Sequence, residues 1–297
     1  MKKLAVLLSI LSWAGGLPSR REGGDSVVTT TRLQLQPQIV GGQNATAGEF
    51  PWQCSLKQVI ILGLTLHICG AVVYDEKTIL TAAHCVETTQ DLSKLRVTCG
   101  EYDFSYTEGP EQNRDIQSIT VHPLRNIETK EFDLAYLTLE EPLQFNDMVR
   151  PVRIAEQEDV QLQRTGGLDC INTGWGNTRG DGSLGSSLVL LKVNLPLVPF
   201  ENCKKRYEDL IELKESMICA GHINPEDAEE QKGPCNGDSG GPLVCPGSDG
   251  ELRLVGIVSF GTNPCALFEY PGVFANVAHL APWLQQISSK PHQQLEN

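Results

Sequence analysis

The stretch GPCNGDSGGPLVC, Gly233 to Cys245, decides the reading of this chain. One serine sits between an aspartate and two glycines, with few bulky neighbours. An alcohol is a poor nucleophile at neutral pH. It needs a base to take its proton and donors to hold the negative oxygen that forms on an attacked carbonyl. Glycines expose backbone N–H groups and admit a carbonyl closely, so the amides of Gly237 and Ser239 are candidate donors. A turn rich in Gly, Asn and Asp would look similar and do nothing, so the motif needs partners. His84 in TAAHC and Asp133 in EFDLAYL supply them. An aspartate inside an apolar, strand-like run needs a hydrogen-bond partner, and a histidine base needs an orienting acceptor.

Outward from this motif the chain alternates short apolar runs with Gly, Pro, Asn and Asp clusters. TILTAA, LRVTC, FDLAYLTL, LKVNLPLV, LRLVGIVSF and GVFANV are such runs. The pattern predicts an all-β fold of short antiparallel strands, in a sandwich or barrel. Only the end reads as helix: Val277, Leu280, Leu284 and Ile287 fall at helical spacing before Pro291.

The 297 residues suffice for one large or two small domains, and 40% hydrophobic with 21% charged residues excludes disorder throughout. A formal net charge of −13 excludes nucleic acid and anionic membrane as bulk electrostatic partners. Lys2 and Lys3, a short apolar run to Gly16 and small residues at its end read as a secretory signal over residues 1–16. Residues 17–38 lack aromatic residues and a sustained period, and read as a flexible leader. No later segment is long and apolar enough to span a membrane. Ten cysteines with no CxxC pair point to an oxidising, extracellular compartment and five disulfides rather than to zinc. Asn44-Ala45-Thr46 is a glycosylation acceptor.

The chain order His84, Asp133, Ser239 is that of chymotrypsin-like enzymes. IVGG at Ile39, TAAHC at Thr81, DLAYL at Asp133, GWG at Gly174 and GDSGGP at Gly237 follow in order. Over residues 39–288 the chain resembles the trypsin/chymotrypsin family of serine proteases. The resemblance implies two six-stranded antiparallel β-barrels with a C-terminal helix and a catalytic cleft between the barrels. Residues 289–297 would form a tail. It implies Ser239 as nucleophile, His84 as base and then acid, and Asp133 as the residue fixing the imidazole; these roles are the family's template. It pairs Cys69 with Cys85, Cys170 with Cys245, Cys203 with Cys219, and Cys235 with Cys265. Cys54 and Cys99 remain. Trp52, Cys54 and Leu56 share one strand face, as do Leu95, Val97 and Cys99, so a fifth bond between them is expected.

In the family, cleavage before the IVGG isoleucine frees an amine that pairs with the aspartate before the nucleophile, here Ile39 and Asp238. Most relatives carry Arg or Lys before that isoleucine, whereas this chain has Gln38. Its activator is therefore an enzyme of unusual specificity, or cleavage after Arg32 is followed by trimming, or activation does not occur. Gly233 falls at the base of the primary specificity pocket, where trypsin-like members carry an aspartate. Ser259, Phe260, Gly261 and Gly272 form the walls, so cleavage after large apolar or aromatic residues is expected, with elastase-like cleavage next. Glu269 at the wall is expected to be solvated. Pro234 beside Gly233 has no evident role in the sequence. Glu101, Glu108 and Glu111, with carbonyls of Asp103 and Tyr106, match the family's calcium loop, against a plain acidic turn; catalysis needs no cofactor. Val59 to Cys69 is unusually apolar, as a contact loop or a hairpin burying one face. The expected partners are protein or peptide substrates, an activating protease and protein inhibitors. The rival is a non-catalytic binding protein on the same fold, or a protease never activated.

Overall fold

The computed structural model describes residues 39–156, 167–180, 186–224, 226 and 232–289. The expected signal segment, the leader through Gln38 and residues 290–297 lie outside the described residues. No described helix is long and apolar enough to cross a membrane.

Six strands close the first barrel: β2 (Gln53–Val59), β3 (Thr65–Val73), β4 (Thr78–Thr81), β5 (Leu95–Cys99), β6 (Gln112–Val121) and β7 (Ala135–Leu139). Their order is β2-β3-β4-β7-β6-β5, and β2 pairs with β5 to complete the ring. The second half uses β9 (Asp169–Gly174), β10 (Leu191–Val198), β11 (Met217–Ala220), β12 (Pro242–Pro246), β13 (Leu252–Phe260) and β14 (Gly272–Asn276). The order β10-β11-β14-β13-β12-β9 closes where β9 meets β10. Two short strands add to it: β1 (Gln43–Asn44) on β10 and β8 (Arg153–Ile154), parallel to β13. Among the described residues, closure leaves no long unpaired strand edge.

The alternation of the runs explains the interior. In β2, Cys54 and Leu56 enter the first core beside Val97 and Cys99 of β5. Leu191, Val193, Leu195 and Leu197 of β10 enter the second at period two. A third apolar cluster spans both barrels and the C-terminal helix, joining Leu80, Leu134 and Tyr136 to Val244, Ile257 and Leu284. This shared layer fixes one barrel against the other.

The C-terminal helix runs Val277–Ser288 and buries Val277, Leu280, Leu284 and Ile287. A second helix, Phe200–Tyr207, stands where only strands and loops were expected. Its buried residues are Cys203 and Tyr207, and the Cys203–Cys219 disulfide ties it to β11.

Five disulfides form, pairing Cys54–Cys99, Cys69–Cys85, Cys170–Cys245, Cys203–Cys219 and Cys235–Cys265. Cys54 and Cys99 face each other directly across β2 and β5, with Cα atoms 4.2 Å apart. That is the close spacing of a non-hydrogen-bonded pair. The hairpin between β2 and β3 turns through Ile61–Gly63 and does not bury its apolar residues: Ile61 is 75% and Leu62 96% exposed.

Candidate active site

β4 ends at Thr81, and the chain turns tightly through Ala83–Cys85, which carries His84 to the barrel rim. The Cys69–Cys85 disulfide holds this turn to β3. Asp133 arrives from the other side, just before β7. Phe132 adopts φ 53°, a left-handed conformation that costs a non-glycine residue about 1–2 kcal/mol. Its ring stacks on His122 with centroids 4.7 Å apart, which helps to hold the turn.

His84 Nδ1 lies 2.8 Å from Asp133 Oδ2, and the His84 amide donates to Oδ1 at 3.0 Å. Ser259, at the end of β13, donates its hydroxyl to Oδ2 at 2.5 Å. Burial alone would raise the Asp133 pKa. The bonds from His84 and Ser259 and the charges of His84 and Arg125 outweigh it, and the carboxyl sits below its ordinary value. The imidazole is thereby oriented with Nδ1 toward the carboxylate and Nε2 away from it.

Ser239 is brought to the same rim. The Gly70 amide of β3 donates to the Ser239 carbonyl at 2.8 Å. A Cβ on Gly240 would collide with Thr81 and with the Gly70 carbonyl, and would lie 3.2 Å from the Ala82 nitrogen. Bare backbone therefore lets the serine loop press against the segment that carries His84. Gly237 has φ +99°, a conformation suited to glycine. Among the described residues, the amides of Gly237 and Ser239 donate to no protein acceptor. The carbonyl of Gly237 meets His67 Nε2 at 2.9 Å, while His67 Nδ1 meets Ser55 Oγ at 2.8 Å. Burial lowers the His67 pKa to about 4, so a neutral ring donates to Gly237 and accepts from Ser55. The loop is pinned from the first barrel by this relay.

Asp238 is fully buried. Its carboxylate accepts the amides of Gly176 at 2.8 Å and Cys235 at 2.9 Å. Among the described residues no cation pairs with it, and burial raises its pKa to about 7. Ile39 is buried in the second core, and Val40 forms a bridge to Gly233 with N–O 3.2 Å.

Beside Ser239 lies a cavity of about 240 Å³, lined by Gly233, Pro234, Ser259, Phe260, Gly261 and Gly272 among others. Among the described residues no carboxylate lines it; the titratable lining groups are His222, Lys232 and Tyr270. Glu269 is exposed and lies outside the lining. The Pro234 ring abuts Gly272: a Cβ there would sit 3.0 Å from Pro234 Cγ. Pro234 is thus a side wall of the slot, and Gly272 leaves room for it.

Comparison with known proteins matches the trypsin family model across residues 39–284. The chain belongs to the trypsin family. Trypsin-1 of Astacus astacus is 38% identical over 249 residues, covering 83% of this chain and 98% of that protein. Serine proteinase stubble of Drosophila melanogaster is 35% identical, covering 86% of this chain but 31% of its own length. Transmembrane protease serine 9 of Rattus norvegicus is 34% identical over 84% of this chain and 22% of its own length. The chain thus spans under a third of the latter two. These relatives and the family model make the protein a serine endopeptidase.

Away from the cleft, the trypsin-family loop after β5 brings Glu101, Glu108 and Glu111 together, with carboxylate oxygens within 4.8 Å of one another. Burial and the charges of Glu101 and Glu111 hold the Glu108 carboxyl above its usual range, although the Asp103 and Tyr102 amides oppose this. Burial also opposes ionisation of Glu111, but backbone amides including those of Glu108 and Gly109 outweigh it. The Asp103 carbonyl accepts the Tyr106 amide at 3.4 Å. The sequence reading missed Lys57, whose ammonium lies 2.8 Å from Glu101 and 4.9 Å from the Phe104 ring centre. It also missed His67 and the contact of Ser259 with Asp133, having placed Ser259 only on the pocket wall. The carboxylate in an apolar run signalled a need for donors, but nothing in sequence separation named them.

Proposed function

We propose that this protein is a secreted endopeptidase made as a zymogen, acting through Ser239, His84 and Asp133, with the amides of Gly237 and Ser239 as oxyanion donors. The observation that carries this is the His84–Asp133 contact at 2.8 Å on the rim that Ser239 shares. Ser239 attacks the carbonyl carbon of the scissile bond. His84 takes its proton, then returns it to the leaving amine. Activation requires a free amine on Ile39, which would give Asp238 the cation that no described residue supplies. Five disulfides fit the oxidising compartment that secretion implies. Asn44 is exposed and is proposed to carry a glycan.

The substrate side chain would enter the cavity above Gly233. Among the described residues its lining offers no carboxylate to pair with Arg or Lys. Cleavage after large apolar or aromatic residues is the preference that fits. Tested on a peptide library after defined cleavage at Gln38–Ile39, the enzyme is expected to favour Phe, Tyr and Leu over Arg by about 100-fold or more. Preferred cleavage after Arg or after Asp and Glu would overturn this reading. Inactivity of His84→Ala in the same assay ties the cleavage to the proposed residues.

The three-glutamate loop fits a calcium ion by its hard oxygen donors. Glu101, Glu108 and Glu111 would hold the ion, which would brace the loop and take no part in catalysis. The Lys57 ammonium already neutralises part of the cluster, so affinity is expected to be weak. Chelation should lower Tm by about 2–4 °C, the effect of roughly 1 kcal/mol in a chain of this size. Lys57→Gln should deepen that drop. Melting curves superimposable with and without calcium would contradict the site.

A further inference from the structure

Arg125 lies in the loop between β6 and β7, and its side chain is 5% exposed. It grips Glu87 with two prongs: Nε to Oε2 at 3.0 Å and Nη2 to Oε1 at 3.4 Å. Nη1 donates to the carbonyls of Asn126 at 3.2 Å and Glu131 at 3.4 Å. A buried guanidinium needs such partners, because its lost hydration costs several kcal/mol. Glu87 and the two carbonyls would satisfy it as a structural pair. Yet Nη2 also lies 3.4 Å from Asp133 Oδ1, the oxygen not bonded to the imidazole. Glu87 itself follows the turn that bears His84, with its amide bonded to Ala83 at 2.8 Å. The ion pair is therefore anchored to both segments that carry the His84–Asp133 contact.

We propose that Arg125, fixed by Glu87, is a positioning residue of the triad, which sets the acid limb of activity by holding a permanent positive charge on Asp133. This rests on the reading of His84 as the base. Two cations share one carboxylate when the imidazole is protonated, and each disfavours the other. Arg125 thus favours the neutral imidazole, the form able to take the Ser239 proton. Glu87 partly cancels that charge. Other titratable groups near Asp133 are His122, stacked on Phe132, and His279, whose ring is 6.4 Å from that of Phe132. The Glu131 carboxylate accepts the Thr129 hydroxyl. None of these changes in the variants below.

The test is kcat/KM against pH for a peptide substrate, using the full chain cleaved before Ile39. Arg125→Gln is expected to move the acid limb to higher pH by about half a unit, and Glu87→Gln to lower pH by a similar or smaller amount. Arg125→Lys should keep the limb near the starting position but lower kcat, because an ammonium lacks the fork. KM should change little in all three. A purely structural pair predicts something different. Both neutral variants would break the same contact, and the limb would stay put or move in one direction. Either result overturns the proposal. If Arg125→Gln does not fold, the sign of the Glu87→Gln shift and the Arg125→Lys profile still decide. Retained activity in His84→Ala would instead remove the triad reading, a result distinct from an unmoved limb.

Discussion

Ser239→Ala is expected to lower kcat by about 10⁶-fold with little change in KM. Without the hydroxyl there is no covalent intermediate, and His84 has no alcohol to activate. Substrate would still bind in the cavity over Gly233, and the amides of Gly237 and Ser239 would still face a developing oxyanion. Residual turnover should therefore exceed the uncatalysed rate by about 10³–10⁴. His84→Ala should cost about as much, and the double variant no more than either single one, because the two groups act on one proton transfer. The check is kcat and KM for the three variants on a single good peptide substrate. Additive losses, or a loss of only tenfold for Ser239→Ala, would place the chemistry elsewhere.

The second large effect concerns Asp238. Its carboxylate is buried with two amide partners and no cation among the described residues. Asp238→Asn would turn an NH₂ toward one of those amides and would leave the Ile39 amine nothing to pair with. The loop bearing Gly237 would lose its anchor, and a loss of about 10³-fold in kcat/KM is expected. A pH signature accompanies it. With a pKa raised from 3.8 to about 7, Asp238 keeps a proton in the folded, uncleaved chain that the unfolded chain has shed. That contribution is full below 3.8 and is lost as pH rises toward about 7. Urea midpoints of the uncleaved chain should fall across that window. On the proposed activation the Ile39 amine, with an ordinary pKa of about 8, would replace the proton, and pairing with Asp238 would raise that pKa. The cleaved form should then lose activity in alkali, as pH passes the raised value. A profile flat to high pH, or an Asp238→Asn enzyme of undiminished activity, would contradict the activation scheme.

Much of the fold was legible because this protein builds its strands from short apolar runs between turn residues. Leu95–Cys99, Leu191–Val198 and Leu252–Phe260 begin and end as strands where those runs do. The C-terminal helix was legible from four apolar residues at one spacing, all of which are buried. Phe200–Tyr207 was not, because its apolar face is only Phe200, Cys203 and Tyr207 over two turns, among five charged or polar residues. Its place is fixed by a disulfide and by Tyr207, whose hydroxyl donates to the Pro271 carbonyl at 2.7 Å. Pro234 carries no role in its local sequence, because the Gly272 that its ring packs against lies 38 residues on. The contacts made by Arg125 and Lys57 were hidden for a different reason. Each joins side chains from separate strands or loops, with Lys57 and Glu101 standing 44 residues apart, and charge pairs carry no periodic trace in a sequence.

Labelling with a fluorophosphonate tests the central claim most directly. The full chain, cleaved between Gln38 and Ile39, should take up one probe per folded molecule. The adduct should map to Ser239, and His84→Ala should abolish it. Cleaved, folded protein that stays unlabelled, or that carries the adduct on another residue, would contradict the account.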